Sequence, residues 1–256
     1  LHMMGVILYY YKRKYEDANK YFDRAVELAP ETVRYWRSKV KLLKTWEQYD
    51  DVISTCADAL KYHPTDGFFW WQKGSALAKK GDHAGAVDCY DEALKLDPYD
   101  VFCMNKKGKS LIEMNEFGQA IDCLKEAKNM DAGNDQVVSN LGYAYEKKGD
   151  YDTAKECYDA AIDLKPDIFH FSRKAWLCSL RKEYGEAAEN YECCVEINPG
   201  DPVALALKAD ALYNWEWPIH LDESLEICKD LNGREISKQE TRGYNSHNID
   251  TVGTPH

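Results

Sequence analysis

The chain has 256 residues, 45% of them hydrophobic and 12% aromatic, with 44 acids against 33 bases and a formal net charge of −11. That apolar content argues against a disordered chain, and a surface of that sign repels phosphate backbones, so nucleic acid is not an expected partner. The longest apolar run, residues 5–11, is too short to cross a bilayer and lacks the basic start and cleavage site of a secretory signal, so no membrane association is expected.

Prolines mark a period along the chain. Pro30, Pro64, Pro98, Pro166 and Pro199 are separated by 34, 34, 68 and 33 residues, with Ala132 standing at the one missing position. Leu1, His2 and Met3, ahead of Met4, read as a cloning scar. Residues 4–32 then form a partial first unit, in which Gly5 is displaced by one position from the small residue of later units. Residues 33–201 hold five full units. The first of these carries Val40 where its neighbours carry glycine, which is expected to widen that helix contact. The second, residues 65–98, is the best formed: Trp70, Gly74 and Leu77, then Ala86, Tyr90 and Ala93, recur at helical steps of three and four. Gly81 suits a left-handed helix end, and Pro98 stops the second helix. Gly108 and Gly142, then Ala175 and Ala209, keep the small slot in the following units. The sixth unit is one residue shorter. The seventh starts at Pro202, breaks at Trp215 to Pro218, and gives way to a capping helix over about 221–231. Residues 202–233 thus form a degenerate last repeat with its cap, and 234–256 read as a flexible tail.

Self-similarity at a fixed period of this size is the mark of a solenoid. The combination of Trp70, Gly74, Ala86, Tyr90, Ala93 and Pro98 resembles the tetratricopeptide repeat, and residues 138–166 match it almost as well. The resemblance covers roughly residues 4–231 and implies an all-α, right-handed superhelical solenoid of antiparallel helix pairs. It also implies a protein-interaction scaffold in which the first helix of each unit lines a concave groove.

At the groove positions that the resemblance implies, unit two carries Arg34, Arg37, Lys41 and Lys44. Four bases on one stripe of an acidic chain suit an acidic peptide segment or a terminal carboxylate. The competing reading is a solvated face with salt bridges to Glu31 and Glu47. The next units turn the groove aromatic, with Phe68, Trp71, Phe102, Tyr143, Phe169 and Trp176. Trp70 and Trp71 are adjacent, so a helix cannot bury both on one side. Trp70 is expected in the packing slot and Trp71 toward a partner. Asn105 and Lys109, Asn140, and Arg173 partly match the tetratricopeptide clamp that grips a C-terminal carboxylate. The first pair is reversed, and Phe169 replaces the last lysine of the pattern.

No catalytic motif stands out: GxGxxG, GxxxxGK[ST], HExxH and GxSxG are all missing, and the seven histidines share no metal-ligand spacing. No enzyme activity and no cofactor or metal are expected. Nine cysteines, an odd number with no CxxC pair, fit free thiols in a reducing compartment and place the chain in the cytoplasm. Cys89, Cys123 and Cys157 repeat every 34 residues, too far apart on stacked units for a disulfide, and read as small fillers. The expected function is a scaffold binding a peptide or helix of a partner protein. Two alternatives stand beside it: a targeting or regulatory domain of a larger enzyme, and self-association with the groove filled by the tail or by a second copy.

Overall fold

The computed structural model describes residues 1–215 and 221–233. The break at 216–218 and the tail over 234–256 lie outside the described residues. Within them the chain is all α-helical, and the helices fall into seven consecutive pairs. These are α1 (His2–Tyr10) with α2 (Tyr15–Leu28), α3 (Val33–Thr45) with α4 (Tyr49–Tyr62), and α5 (Gly67–Lys79) with α6 (His83–Leu96). They continue as α7 (Val101–Glu113) with α8 (Phe117–Met130), α9 (Asp135–Lys148) with α10 (Tyr151–Leu164), α11 (Ile168–Leu180) with α12 (Tyr184–Ile197), and α13 (Pro202–Asn214) with α14 (Leu221–Gly233).

Local chemistry explains the helix ends. The side chains of Asp66, Asp82, Asp100, Asn134, Asp150, Asp167 and Asp201 each accept a backbone N–H in the first turn of the helix that follows, satisfying donors with no intrahelical partner. Inside six successive pairs, the turn between the helices contains one residue of positive φ: Arg13, Glu47, Gly81, Asn115, Gly149 and Lys182. These positions repeat the period of the sequence. Glycine, which takes this conformation without steric cost, fills only two of them.

The helices of a pair meet where a small residue on the first faces a ring on the second. A Cβ on Gly74 would lie 2.9 Å from the Tyr90 ring and 3.1 Å from the Ala86 carbonyl oxygen, and one on Gly142 would lie 3.0 Å from the Tyr158 ring. Tyr90 and Tyr158 are buried in these contacts. Val40, expected to widen its pair, is itself fully buried in the core beside Cys56. Cys56 stands where the next unit has Tyr90, so a smaller partner offsets the added volume. Gly5 meets Phe22 in the same manner. His2 is buried: its Nε2 lies 2.9 Å from Ser38 Oγ, and its ring packs on Phe22 and Tyr35. Residues read as a scar thus contribute to the first helix.

The chain divides into two compact units, Leu1–Gly133 with α1–α8 and the remainder from Asn134 with α9–α14. In the first unit, α3 touches both α1 and α5, and α5 touches α7, so the first helices of successive pairs stand side by side and share one face. In the second unit, α14 packs on α13, where Ser224 Oγ donates to the Ala209 carbonyl at 3.0 Å and Lys208 bridges Glu192 and Glu223.

Candidate functional site

The shared face of α3, α5 and α7 carries a row of rings flanked by cations. Phe68 stacks beside Trp71 with centroids 6.4 Å apart, and Trp71 stacks on Phe102 at 5.1 Å with an interplanar angle of 23°. The guanidinium of Arg37 lies 5.1 Å over Phe68, Lys44 Nζ lies 4.7 Å over Trp71, and Lys106 Nζ lies 5.1 Å over Phe102. Offset stacks with cations on ring faces are favourable geometries for both partners. Phe102 is 46% exposed at one end of the row, and Trp71 is half-buried at its centre.

The structure departs from the division of labour expected between the two tryptophans. Phe69, not Trp70, is the ring buried in the core at 0% exposure. Trp70 and Trp71 are both half-buried, and both pack against the cluster of Ala86, Tyr90, Ala93 and Cys103. Trp70 turns to another side of the first unit. There its indole N–H donates to the Pro64 carbonyl at 3.3 Å, and it lines an open cleft of ≈ 890 Å³ with Leu77, Asp88, Cys89, Glu92 and Met104.

Among the basic residues, Arg34, Arg37, Lys41 and Lys44 are exposed on α3. Arg37 also donates to both carboxylate oxygens of Asp66, at 3.0 and 2.9 Å, while Asp66 caps α5. Its acid is therefore Asp66 of the following pair rather than Glu31 or Glu47. The bond ties α3 to α5 and fixes the guanidinium over Phe68. Lys44 Nζ donates to Gln72 Oε1 at 3.2 Å. Burial, and then the charges of Lys106 and Lys79, lower the Lys44 ammonium pKa below its usual range; burial and Lys79 do the same to Lys106. The lysines of this face therefore act on one another. Asn105, assigned to the carboxylate clamp, is buried at 5% exposure on α7, and Lys109 is half-buried.

In the second unit, Tyr143 was expected in the groove but is buried at 3% exposure. Arg173 covers it at 4.1 Å and also lies 5.4 Å from the exposed Phe169, so its guanidinium sits against two rings. Glu146, one helical turn from Tyr143, accepts the Tyr158 hydroxyl at 2.6 Å. Burial raises the Glu146 pKa, against the opposing effects of that hydrogen bond and of Arg173. Asn140 and Trp176 are half-buried on α9 and α11.

Residues 35 positions apart meet in one place that spacing did not suggest. His170, fully buried on α11, has Nε2 at 2.9 Å from Asp135 Oδ2, and Asp167 lies close by. Asp167 is already held as the α11 cap and by Lys165, so the trio works as a helix-to-helix tie. Cysteines offer no reactive thiolate in the core. Burial pushes the thiols of Cys56, Cys103, Cys178 and Cys194 up to about 12, which suits inert fillers. Among the described residues no helix is long and apolar enough to cross a membrane.

Three sequence models described as tetratricopeptide repeat match the chain, over residues 3–43, 67–100 and 138–168. No curated protein sequence matches it. Solved structures share the fold. The C-terminal part of a TPR repeat-containing protein from Cytophaga hutchinsonii superposes with a TM-score of 0.71 at 17% identity, covering 95% of this chain and 99% of its own. MamA from Desulfovibrio magneticus RS-1, from position 41 on, gives 0.59 at 21% identity over 65% of this chain and 94% of its own. YrrB, described as a TPR protein with an unusual peptide-binding site, gives 0.56 at 18% identity over 73% of this chain and 97% of its own.

Proposed function

We propose, from the premise that this chain is built of tetratricopeptide repeats, that it is a non-catalytic scaffold docking a peptide or helix of a partner protein. The docking surface is the face of α3, α5 and α7. The observation that carries this reading is the Phe68, Trp71 and Phe102 row with Arg37, Lys44 and Lys106 on its rings. A half-buried aromatic row is already positioned, so a partner orders little in binding it, and a large ring at the centre of an interface is the usual energetic hot spot. The basic flank favours an acidic or carboxylate-bearing segment and speeds its encounter with an otherwise acidic molecule. Arg34 and Lys41 extend that flank along α3, and Lys109 prolongs it on α7. In the second unit, Asn140, Arg173 and Trp176 are the residues through which a partner is held. Tyr143 supports Arg173 from beneath rather than meeting the partner. The free thiols suit a reducing compartment, and we place the protein in the cytoplasm.

Capture from native extract tests the reading. Wild type, Trp71→Ala and Arg37→Glu are compared as baits, with Trp70→Ala as the control on the other side of the same helix. Proteins retained by wild type and Trp70→Ala and lost from the other two support it. An identical set from all four baits removes it. Recovery of the chain's own second copy, lost with Trp71→Ala, would make self-association the function of this face.

A further inference from the structure

We infer that Lys44 and Lys106, whose ammonium groups lie on the stacked Trp71 and Phe102 rings, form with Lys79 from the last turn of the intervening helix a subsite for a phosphorylated side chain of the docked peptide. The inference rests on reading this face as the docking surface, and it names the chemistry that one part of that surface selects.

Three neighbouring helices contribute one ammonium group each: Lys44 from α3, Lys79 from α5 and Lys106 from α7. Lys44 and Lys79 stand in the last turns of their helices, where a cation offsets the partial negative charge of the helix end. Lys106 stands mid-helix and has no such reason to be there. Nearby lysines on other faces meet acids: Lys39 pairs with Asp23, Lys80 with Asp50 and Lys107 with Asp91. The contacts of Lys44 and Lys106 are different in kind. Lys44 Nζ lies on the Trp71 ring and against the Gln72 amide oxygen, and Lys106 Nζ lies on the Phe102 ring. Neutral acceptors hold these ammonium groups in place without cancelling their charge.

The three also feel one another, since Lys79 and Lys106 act on Lys44, and Lys79 acts on Lys106. Like charges gathered on one face store repulsion that an anion relieves. A carboxylate brings one negative charge. A phosphate monoester brings about −1.5 to −2 at neutral pH and three acceptor oxygens, which matches three point-charge donors far better. The stacked rings beside the cluster give the neighbouring apolar part of the same peptide a surface to lie on. The subsite therefore favours a phosphorylated residue next to an aromatic or aliphatic one.

Phenyl phosphate, which joins a ring to the dianion, is a probe of the full chain, with phenylacetate as the monoanionic counterpart at equal ionic strength. Both are titrated while the Trp71 indole N–H and the lysine ε-methylene signals are followed by NMR. Phenyl phosphate is expected to move the Trp71, Lys44, Lys79 and Lys106 signals saturably and to bind about tenfold tighter than phenylacetate. Lys44→Gln, Lys79→Gln and Lys106→Gln combined should abolish that preference, and Lys107→Gln should leave it intact. Equal affinities for the two probes, or a preference that survives the triple substitution, overturns the phosphate subsite. If both probes still move Trp71 in that case, the docking surface stands without it. If neither moves Trp71, both readings fall.

Discussion

Trp71 sits between two rings and under an ammonium group, so its indole both packs and presents a face. Trp71→Ala is expected to lower stability by about 1–2 kcal/mol, measured by urea denaturation, because a half-buried ring leaves a partly solvated gap rather than a closed cavity. The loss of partner affinity should be larger, about 2 kcal/mol or roughly thirtyfold in Kd. Trp70→Ala should show the first effect without the second. The run Phe68, Phe69, Trp70, Trp71 explains why the sequence was misleading at this point. Four successive rings carry no period of their own, so the family pattern placed Trp70 in the core while the helix turned Phe69 there. Tyr143 and Asn105 were legible as positions on the first helices but not as buried groups, since the neighbours that cover them, such as Arg173, come from other helices.

Ionic ties make a second prediction at the same scale. Burial alone would raise the Glu186 carboxyl, but hydrogen bonds from Lys155 at 2.5 Å and from Lys174 at 3.0 Å more than offset this and hold its pKa below the usual range. A carboxylate with a depressed folded pKa adds stability above its unfolded pKa and loses that stability as pH falls through the folded value. Denaturation of wild type and Glu186→Gln should therefore differ by about 1 kcal/mol near neutrality, and the difference should shrink in acid. A gap that persists unchanged to acid pH would show that the two lysines do not stabilise Glu186 in its charged form.

Within the elements, the left-handed turn position is a shared requirement met by unequal residues. Glu47, Asn115 and Lys182 carry side chains at φ +58°, +62° and +63°, where Gly81 and Gly149 carry none. Glu47→Gly and Lys182→Gly should each stabilise by about 0.5–1 kcal/mol, because relief of the steric cost exceeds the added freedom of the unfolded chain. Asn115→Gly should gain less, since asparagine tolerates this conformation. Chemical denaturation of the single variants checks the order. The helix pairs themselves were legible because period, proline stops and small-to-large contacts all agreed. The turn geometry at Glu47 and Lys182 was not, because neither residue type signals positive φ; only Gly81 announced it. Asp66 shows the same limit, since its bond to Arg37 depends on how two pairs stack.

At the scale of the molecule, the turn residues keep their 34-residue spacing from Asn115 to Gly149, yet the chain divides between them, after Gly133, into two compact units. Helix pairs that bury their stripes chiefly against neighbours make stability a sum of local and interfacial terms, so unfolding need not be all-or-none. Gly142→Ala pushes a Cβ to 3.0 Å from Tyr158 and 3.1 Å from the Ala154 carbonyl, a backbone atom that cannot step aside cheaply. The variant should destabilise the second unit by about 1–3 kcal/mol. Hydrogen exchange should then show α9–α12 opening more readily while α3–α6 keep their protection, and a uniform loss in both would mean that the chain unfolds as one body. The reversal of charge on α3 was legible from composition against position. Its continuation through Lys79 and Lys106 was not, because three residues on three helices become neighbours only when the pairs stack.

Site-specific photocrosslinking reads directly the contact of a partner protein with the face of α3, α5 and α7. Benzoylphenylalanine is placed at Phe102, the exposed end of the aromatic row, and in a second protein at Tyr99, which is 77% exposed in the turn between α6 and α7. Irradiation in native extract should yield one or a few discrete adducts from position 102, competed by unmodified wild type and not by Trp71→Ala, with none of them from position 99. Adducts absent at 102, or the same at both positions, would mean that this face receives no partner.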